Sequence, residues 1–358
     1  MKITSVEIAP LNLIPVIPLT ISYGSFDVLE YVLVTIHGDT GAVGYGEGAA
    51  DTEVTGETQD SIIAGLTPLC EELIGRDPMD IEAVMGLLTD RLPSSPTAWA
   101  AVDMALYDLM GKGLGLPAYK LLGGAVRRKI SFYPTIPMDT PDVMAGYADG
   151  MYHGGFRKAK IKLGTTIDED VERVKKIMET APDMVLAPDI NQGWVDADTA
   201  LNALERLKDA PLSWVEQPVR ADDMDSLVEV TRHSPFPIMV DEGCHGPEDA
   251  VVIAARKAAD IINIKLMKAG GLYRGAKLAA VAEAAGLPVS VGSMFESSLG
   301  SAAGMHLTAA KAGVIACESI GPPFLKNDIG TGLDIDFEKM IIRVPEGPGL
   351  GIEVTDLP

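Results

Sequence analysis

Eight short apolar runs, each separated from the next by an amphipathic helical stretch, set the architecture open to this chain of 358 residues. The runs are KISFYPTI, KAKIKLG, MVLAPDIN, LSWVEQPV, PIMVDEG, DIINIKLMK, PVSVGSM and VIACESIG, in that order between residues 129 and 321. Continuous apolar runs of this length read as strands buried on both faces, which is the habit of parallel sheets. The stretches between them, such as TIDEDVERVKKIMETA and DADTALNALERLKDA, open on a capping Thr or Asp followed by an acidic first turn. Strand and helix alternating eight times predict an α/β fold, a TIM-type barrel of parallel strands. An open doubly wound sheet would use fewer strands and a glycine-rich phosphate turn, which the sequence lacks.

The first 125 residues have a different texture. Strand-like KITSVEIAPL, VLEYVLVTIH and AVGYGEG precede helical patterns near 58–75, 80–91 and 96–113, as expected of a separate α+β module. GKGLGLPAYKLLGGAVRRK closes it. The expected organisation is therefore a capping module over 1–125, a barrel over 126–321, and a segment over 322–358 that returns to the cap. The glycines of GYGEG at 44–48 precede no helix-opening pattern, so they carry no dinucleotide fingerprint.

A formal charge of −22 leaves no basic footprint for nucleic acid. No segment approaches eighteen uninterrupted apolar residues, and MKITSVEIAPLNL lacks the apolar core of a signal peptide. Cys70, Cys244 and Cys317 are scattered and odd in number. A reduced, cytoplasmic protein is expected, free of membrane and nucleic acid and assembled as a homo-oligomer.

Polar residues punctuate the ends of these runs. Lys160 and Lys162 close the second, Asp189 and Asn191 the third, Glu216 the fourth, Asp241 and Glu242 the fifth, and Asn263 and Lys265 the sixth; Glu296 follows the seventh and Glu318 lies on the eighth. From Lys162 to Lys265 the intervals are 27, 27, 25 and 24 residues, about one βα unit each. Each charge therefore falls at the C-terminal end of its own strand, the end at which barrel enzymes assemble their active sites. Three carboxylates on adjacent strand ends, Asp189, Glu216 and Asp241, would repel one another unless a hard divalent cation joined them. Oxygen donors alone suit Mg2+, with Mn2+ as the alternative. Lys160 and Lys162 stand on one side of these acids and Lys265 across the barrel, an arrangement for moving a proton at opposite faces of one substrate carbon. Crowding of the three ammonium groups is expected to depress a lysine toward the range of a general base, about 7–8. Lys158, two residues deeper, is expected to form a structural ion pair.

The set KxK, DxN, WVEQP, DE and NIKLMKAGG, together with GYGEGA and DMALYDLMGKGLGLPAYKLLGG, resembles the enolase superfamily, specifically its muconate lactonizing enzyme subgroup, over nearly the whole chain. The resemblance implies a (β/α)7β TIM-like barrel with an α+β capping domain. It implies Asp189, Glu216 and Asp241 as Mg2+ ligands, Lys162 and Lys265 as the acid/base pair, Lys160 as an enolate stabiliser, and Asn191, Glu242 and Asn263 as support behind the ligands. Loops near 18–26 and 50–58 would close over a small-molecule carboxylate substrate. Ser22 and Tyr23 on the first loop, with Glu296, Glu318 and Ile320, are the candidate substrate contacts. VTGET and KLMKAGGLYRGAK are similar to dipeptide epimerases, but the Asp-x-Asp of those enzymes is replaced by Glu318, Ser319 and Ile320, closer to muconate cycloisomerases and N-acylamino acid racemases. The activity implied is a racemase or epimerase acting through an enediolate on a dipeptide or amino acid derivative. A muconate-type cycloisomerase or acid dehydratase using the same intermediate is the alternative, and a Schiff-base aldolase or a binding protein is the rival from outside the class.

Overall fold

The computed structural model describes residues 1–21, 24–318 and 320–355. Ser22 and Tyr23, two of the candidate substrate contacts, and Ser319 of the eighth run lie outside the described residues.

The N-terminal module is a three-stranded antiparallel sheet of β1 (Ile3–Leu13), β2 (Leu29–Gly38) and β3 (Val43–Gly48), covered by the helix Pro96–Leu114. GYGEG lies on β3, and its glycines have a packing reason. A Cβ on Gly44 would stand 2.1 Å from the carbonyl oxygen of Ala105, and one on Gly46 2.1 Å from that of Ala101. Gly48 faces Thr97 less tightly, with 3.2 Å between such a Cβ and the Thr97 carbonyl oxygen. Every second strand residue advances about 6.6 Å and every fourth helix residue about 6 Å, so glycines at 44, 46 and 48 can mesh with small residues at 105, 101 and 97. The helix thus lies directly on the strand's backbone. We expect Gly46→Ala to push the two apart and to destabilise the fold by about 1–3 kcal/mol; a urea midpoint equal to that of the wild type would contradict this packing.

The second module carries eight parallel strands. In chain order these are β4 (Thr135–Ile136), β5 (Lys158–Lys162), β6 (Val185–Asp189), β7 (Val215–Glu216), β8 (Ile238–Val240), β9 (Ile261–Ile264), β10 (Val289–Val291) and β11 (Val314–Cys317), each paired with the next. A parallel bridge between Phe132 and Cys317 joins the two edges of the curled sheet. The helices between strands start where the capping signals fall. Thr166 accepts from the Glu169 amide ahead of Ile167–Thr180, and Asp196 from the Thr199 amide ahead of Ala197–Arg206. The architecture is the barrel with an N-terminal cap that the alternation of runs predicts.

Side-chain alternation divides the barrel interior into two levels. Tyr133, Ala187, Trp214, Met239, Ile261 and Ala316 form a buried apolar cluster at the N-terminal end of the strands. Two residues further along five of those runs come Asp189, Glu216, Asp241, Asn263 and Glu318. Period two carries both sets inward, so an apolar floor supports a polar mouth. Lys158 stands at the level of the floor. It is exposed and has no ion-pair partner among the described residues; its ammonium lies 5.4 Å from the centre of the Tyr133 ring. The expected ion pair is therefore absent, because the aromatic floor presents a ring face there rather than a carboxylate.

Carboxylates inserted at helix N-termini lock the two modules together. Glu47 on β3 accepts from the amide of Ser297, which caps the barrel helix Ser298–Ala310, and Asp103 accepts from the amides of Leu272 and Tyr273 at the start of Leu272–Ala284. Burial, reinforced by the neighbouring Glu296, pushes the Glu47 carboxyl up to about 8 although its bonds to Ser297 oppose the shift. The C-terminal segment contacts both modules. Its strand Ile341–Arg343 pairs with Lys129–Ser131 of the first run, while Gly349 bridges Pro117 and the Leu350 amide bonds Asp108 of the cap. Among the described residues no helix is long and apolar enough to cross a membrane.

Candidate active site

At the C-terminal mouth of the barrel, beneath the cap, lies a cavity of about 210 Å³. Lys160, Lys162, Lys265, Asn191, Glu318 and Ile320 line it from the barrel, and Leu29, Tyr31, Asp51, Thr52 and Gln59 from the cap. Asp189, Glu216 and Asp241 lie beneath the lysines with no exposed surface. Glu216 and Asp189 are direct neighbours in the parallel register of β6 and β7.

The three carboxylates share one pattern: one oxygen is tied to a fixed donor, and the other faces the lysines. Asp189 Oδ1 accepts from the Asn191 amide at 3.0 Å while Oδ2 meets Lys160 at 2.9 Å and Lys162 at 2.7 Å. Glu216 Oε1 accepts from the Asn263 side chain at 2.9 Å while Oε2 meets Lys160 at 2.8 Å. Asp241 Oδ1 meets Lys268 at 2.7 Å and Oδ2 meets Lys265 at 2.8 Å. These ion pairs leave acceptor capacity over: Glu216 Oε2 and both Asp241 oxygens receive no aligned hydrogen bond although they are buried. Among the described residues no three acid, histidine or cysteine side chains stand as a preformed cation cage, since the ammonium groups occupy the space between the carboxylates.

Asn191 and Glu242 meet at the mouth of the barrel. Asn191 accepts from Lys162 at 2.9 Å and donates to Glu242 at 2.9 Å, which links β6 to β8. Asn191 holds a left-handed backbone, φ 42°, a conformation its short amide tolerates. Burial, with Asp241 and Asp189 beside it, pushes Glu242 up to about 7.

Electrostatics at the lysines run opposite to the expectation of mutual depression. Burial alone would lower Lys160 and Lys265, but Asp189, Glu216 and Glu318 around Lys160 and Asp241 and Glu242 around Lys265 outweigh it and hold both well above the ordinary lysine range. The same contacts work in reverse on two of the acids. Burial opposes their ionisation, yet Lys160 and Lys162 hold Asp189, and Lys265 and Lys268 hold Asp241, below the usual carboxylate range. Glu216 is raised well above it by burial and by Asp189.

The candidate substrate contacts divide. Ile320 is buried on the cavity wall, and Glu318 lines it while its Oε2 holds Lys160 at 2.9 Å. Glu296 turns elsewhere: its Oε2 accepts from the Met294 amide and the Ser293 hydroxyl, and its backbone neighbours, not its carboxylate, reach the cavity. The donors nearest to it are those of its own loop, which corrects its reading as a substrate contact. Two buried polar residues were not singled out from the sequence. Gln217 accepts from the amides of Asp241 and Gly243, and Lys268 pairs with Asp241. Their signals are a polar residue directly after Glu216 and a charge inside the apolar LMKAGG.

Comparison with known proteins places this geometry. A family model described as the N-terminal domain of mandelate racemase / muconate lactonizing enzyme matches residues 3–123, and one described as enolase C-terminal domain-like matches 143–357. The N-succinyl-L-Arg/Lys racemase of Bacillus cereus is 38% identical, with 99% of this chain and 96% of the relative aligned. The crystal structure of the Bacillus cereus N-succinyl Arg/Lys racemase superposes with a TM-score of 0.96 at 39% identity, covering 99% of this chain and 96% of the other. A dipeptide epimerase from Enterococcus faecalis, solved with Mg and the dipeptide L-Leu-L-Tyr, gives a TM-score of 0.94 at 34% identity, covering 98% of this chain and 99% of the other.

Proposed function

This chain belongs to the enolase superfamily, in its muconate lactonizing enzyme subgroup, and we propose that it is a metal-dependent racemase or epimerase working by 1,1-proton transfer at the α-carbon of an amino acid derivative. The observation that carries the reading is the placement of Lys162 and Lys265. Lys162 closes the second of eight barrel strands and Lys265 directly follows the sixth, four strands apart and so on opposite sides of the mouth, and both line the cavity. A substrate α-carbon held between them has one ammonium or amine on each face. One lysine takes the α-proton and the other delivers a proton to the opposite face, which inverts the centre through an enediolate. The carboxylate oxygens that face the lysines, Asp189 Oδ2, Glu216 Oε2 and Asp241 Oδ2, are an all-oxygen donor set suited to magnesium, and two of the three residues carry buried oxygens without aligned hydrogen bonds. Asp189, Glu216 and Asp241 would hold a divalent cation, which would supply positive charge for the substrate carboxylate. Lys160, fixed among Asp189, Glu216 and Glu318, keeps a positive charge where the enediolate develops its negative one.

An N-acylated amino acid fits this mouth better than a dipeptide with a free ammonium group. Glu318, just past the eighth strand, is engaged with Lys160, and two residues further, on the cavity wall, is the apolar Ile320. Positions 318–320 therefore offer one carboxylate and not a pair for an α-ammonium. The Bacillus cereus relative, whose name specifies N-succinyl Arg and Lys, supports the same substrate class. Polarimetry on N-succinyl amino acids and on dipeptides tests the reading. We expect loss of optical rotation with the N-acyl series, abolished by EDTA and restored by Mg2+. A rate indifferent to chelator, or ring closure or water loss in place of racemisation, would contradict it.

A further inference from the structure

Lys268 is 2% exposed, on the single helical turn Leu266–Ala269 that follows Lys265, and the chemistry above gives it no part. Its ammonium is bound at three points to one short segment: the Asp241 carbonyl, the Cys244 carbonyl at 2.9 Å, and Asp241 Oδ1 at 2.7 Å. Two carbonyls accept its hydrogen bonds and the Asp241 carboxylate adds an ion pair, which together compensate a buried ammonium. Gln217 Oε1 holds the same segment from the other side through the amides of Asp241, at 2.9 Å, and Gly243, at 3.1 Å. Asp241 is consequently fixed at its N–H, its C=O and one carboxylate oxygen, and only Oδ2 faces the site. The tied oxygens of Asp189 and Glu216 are held by neutral amide groups, whereas that of Asp241 is held by a full charge.

We propose that Lys268 is a positioning residue that confines Asp241 to one-oxygen contact with the bound cation and thereby biases the site toward a small octahedral ion. The proposal rests on the metal reading above. An ammonium 2.7 Å from Oδ1 repels a dication from that oxygen, which disfavours chelation by Asp241 through both oxygens. Calcium takes six to eight oxygen ligands and readily accepts a bidentate carboxylate, whereas magnesium demands near-ideal octahedral geometry. Removing the ammonium frees Oδ1 and favours the larger ion.

The test is calorimetric titration of the wild type and of Lys268→Met with Mg2+ and with Ca2+. We expect the ratio of the two dissociation constants to move at least tenfold toward calcium in the variant. A purely structural role would weaken both ions alike, so an unchanged ratio overturns the proposal. If the variant does not fold, crystals of the wild type soaked with Mn2+ decide the matter: Asp241 bound through Oδ2 alone with Lys268 still on Oδ1 supports it, and two-oxygen chelation or a displaced Lys268 overturns it. Wild-type protein that binds neither ion in the titration overturns the metal reading and this proposal with it, whereas wild-type binding with an unchanged ratio overturns this proposal alone.

Discussion

Lys162→Ala should stop the interconversion of enantiomers, with kcat reduced by at least about 10³-fold, near the upper end of what a general acid or base contributes. The stereochemistry makes this sharper than loss of activity. Lys162 and Lys265 serve opposite faces, so Lys162→Ala should lose solvent exchange of the α-proton from one enantiomer while Lys265 still exchanges the other. Lys265→Ala should give the mirror-image result. Proton NMR in D2O on each enantiomer separately reads this directly. Lys158→Met, by contrast, removes a charge from the exposed end of the barrel and should leave turnover largely intact, because its ammonium meets an aromatic ring there rather than the site. Equal loss from Lys162→Ala and Lys158→Met would mean that the inward alternation on β5 is wrong.

The second large effect concerns Glu216. In Glu216→Gln the side-chain oxygen can keep its bond from Asn263, and Lys160 keeps Asp189 and Glu318, so the fold should survive. Replacing a fully buried carboxylate whose proton affinity is already raised by burial and by Asp189 even removes a source of repulsion. The divalent ion loses a ligand, however. Wild-type protein at a hundredfold excess of Mg2+ over its dissociation constant should gain about 2.7 kcal/mol of stability, and the variant should gain almost none. Its activity should fall by about 10³-fold or more, the equivalent of roughly 4 kcal/mol of lost charge stabilisation. Thermal melts with and without Mg2+ separate the two effects, and a variant that is stabilised by the ion as strongly as the wild type would remove Glu216 from the ligand set.

Much of this site was legible because the barrel makes position in sequence equivalent to position in space. A run of known period, ending in a charge every 24 to 27 residues, puts Lys162, Asp189, Glu216, Asp241 and Lys265 around one mouth without knowledge of any loop. Legibility fails where that equivalence ends. Glu296 follows a strand as closely as the others do, but the direction of its carboxylate is decided by the Ser293 hydroxyl and Met294 amide of its own loop. Lys268 lies one helical turn past the strand, where strand alternation says nothing about the side of the backbone it takes. The proton affinities of Lys160 and Lys265 escape the sequence for a related reason: counting cations shows how many charges are present, whereas the shift depends on which carboxylates stand within 3 Å of each. The glycines of GYGEG illustrate the same limit from the opposite direction, since their partners at 97, 101 and 105 are visible only once the helix lies on the strand.

Proton transfer between two lysines across one carbon can be followed in the wild-type enzyme alone. A single enantiomer of an N-succinyl amino acid is incubated with the enzyme and Mg2+ in D2O, and isotope content is followed in substrate and product separately from the earliest time points. Two bases on opposite faces predict that the product enantiomer carries deuterium at the α-carbon from the start while the remaining substrate stays largely protonated, with no other bond changed. Product that retains its original α-proton, or product formed by loss of water or ring closure, would contradict the account.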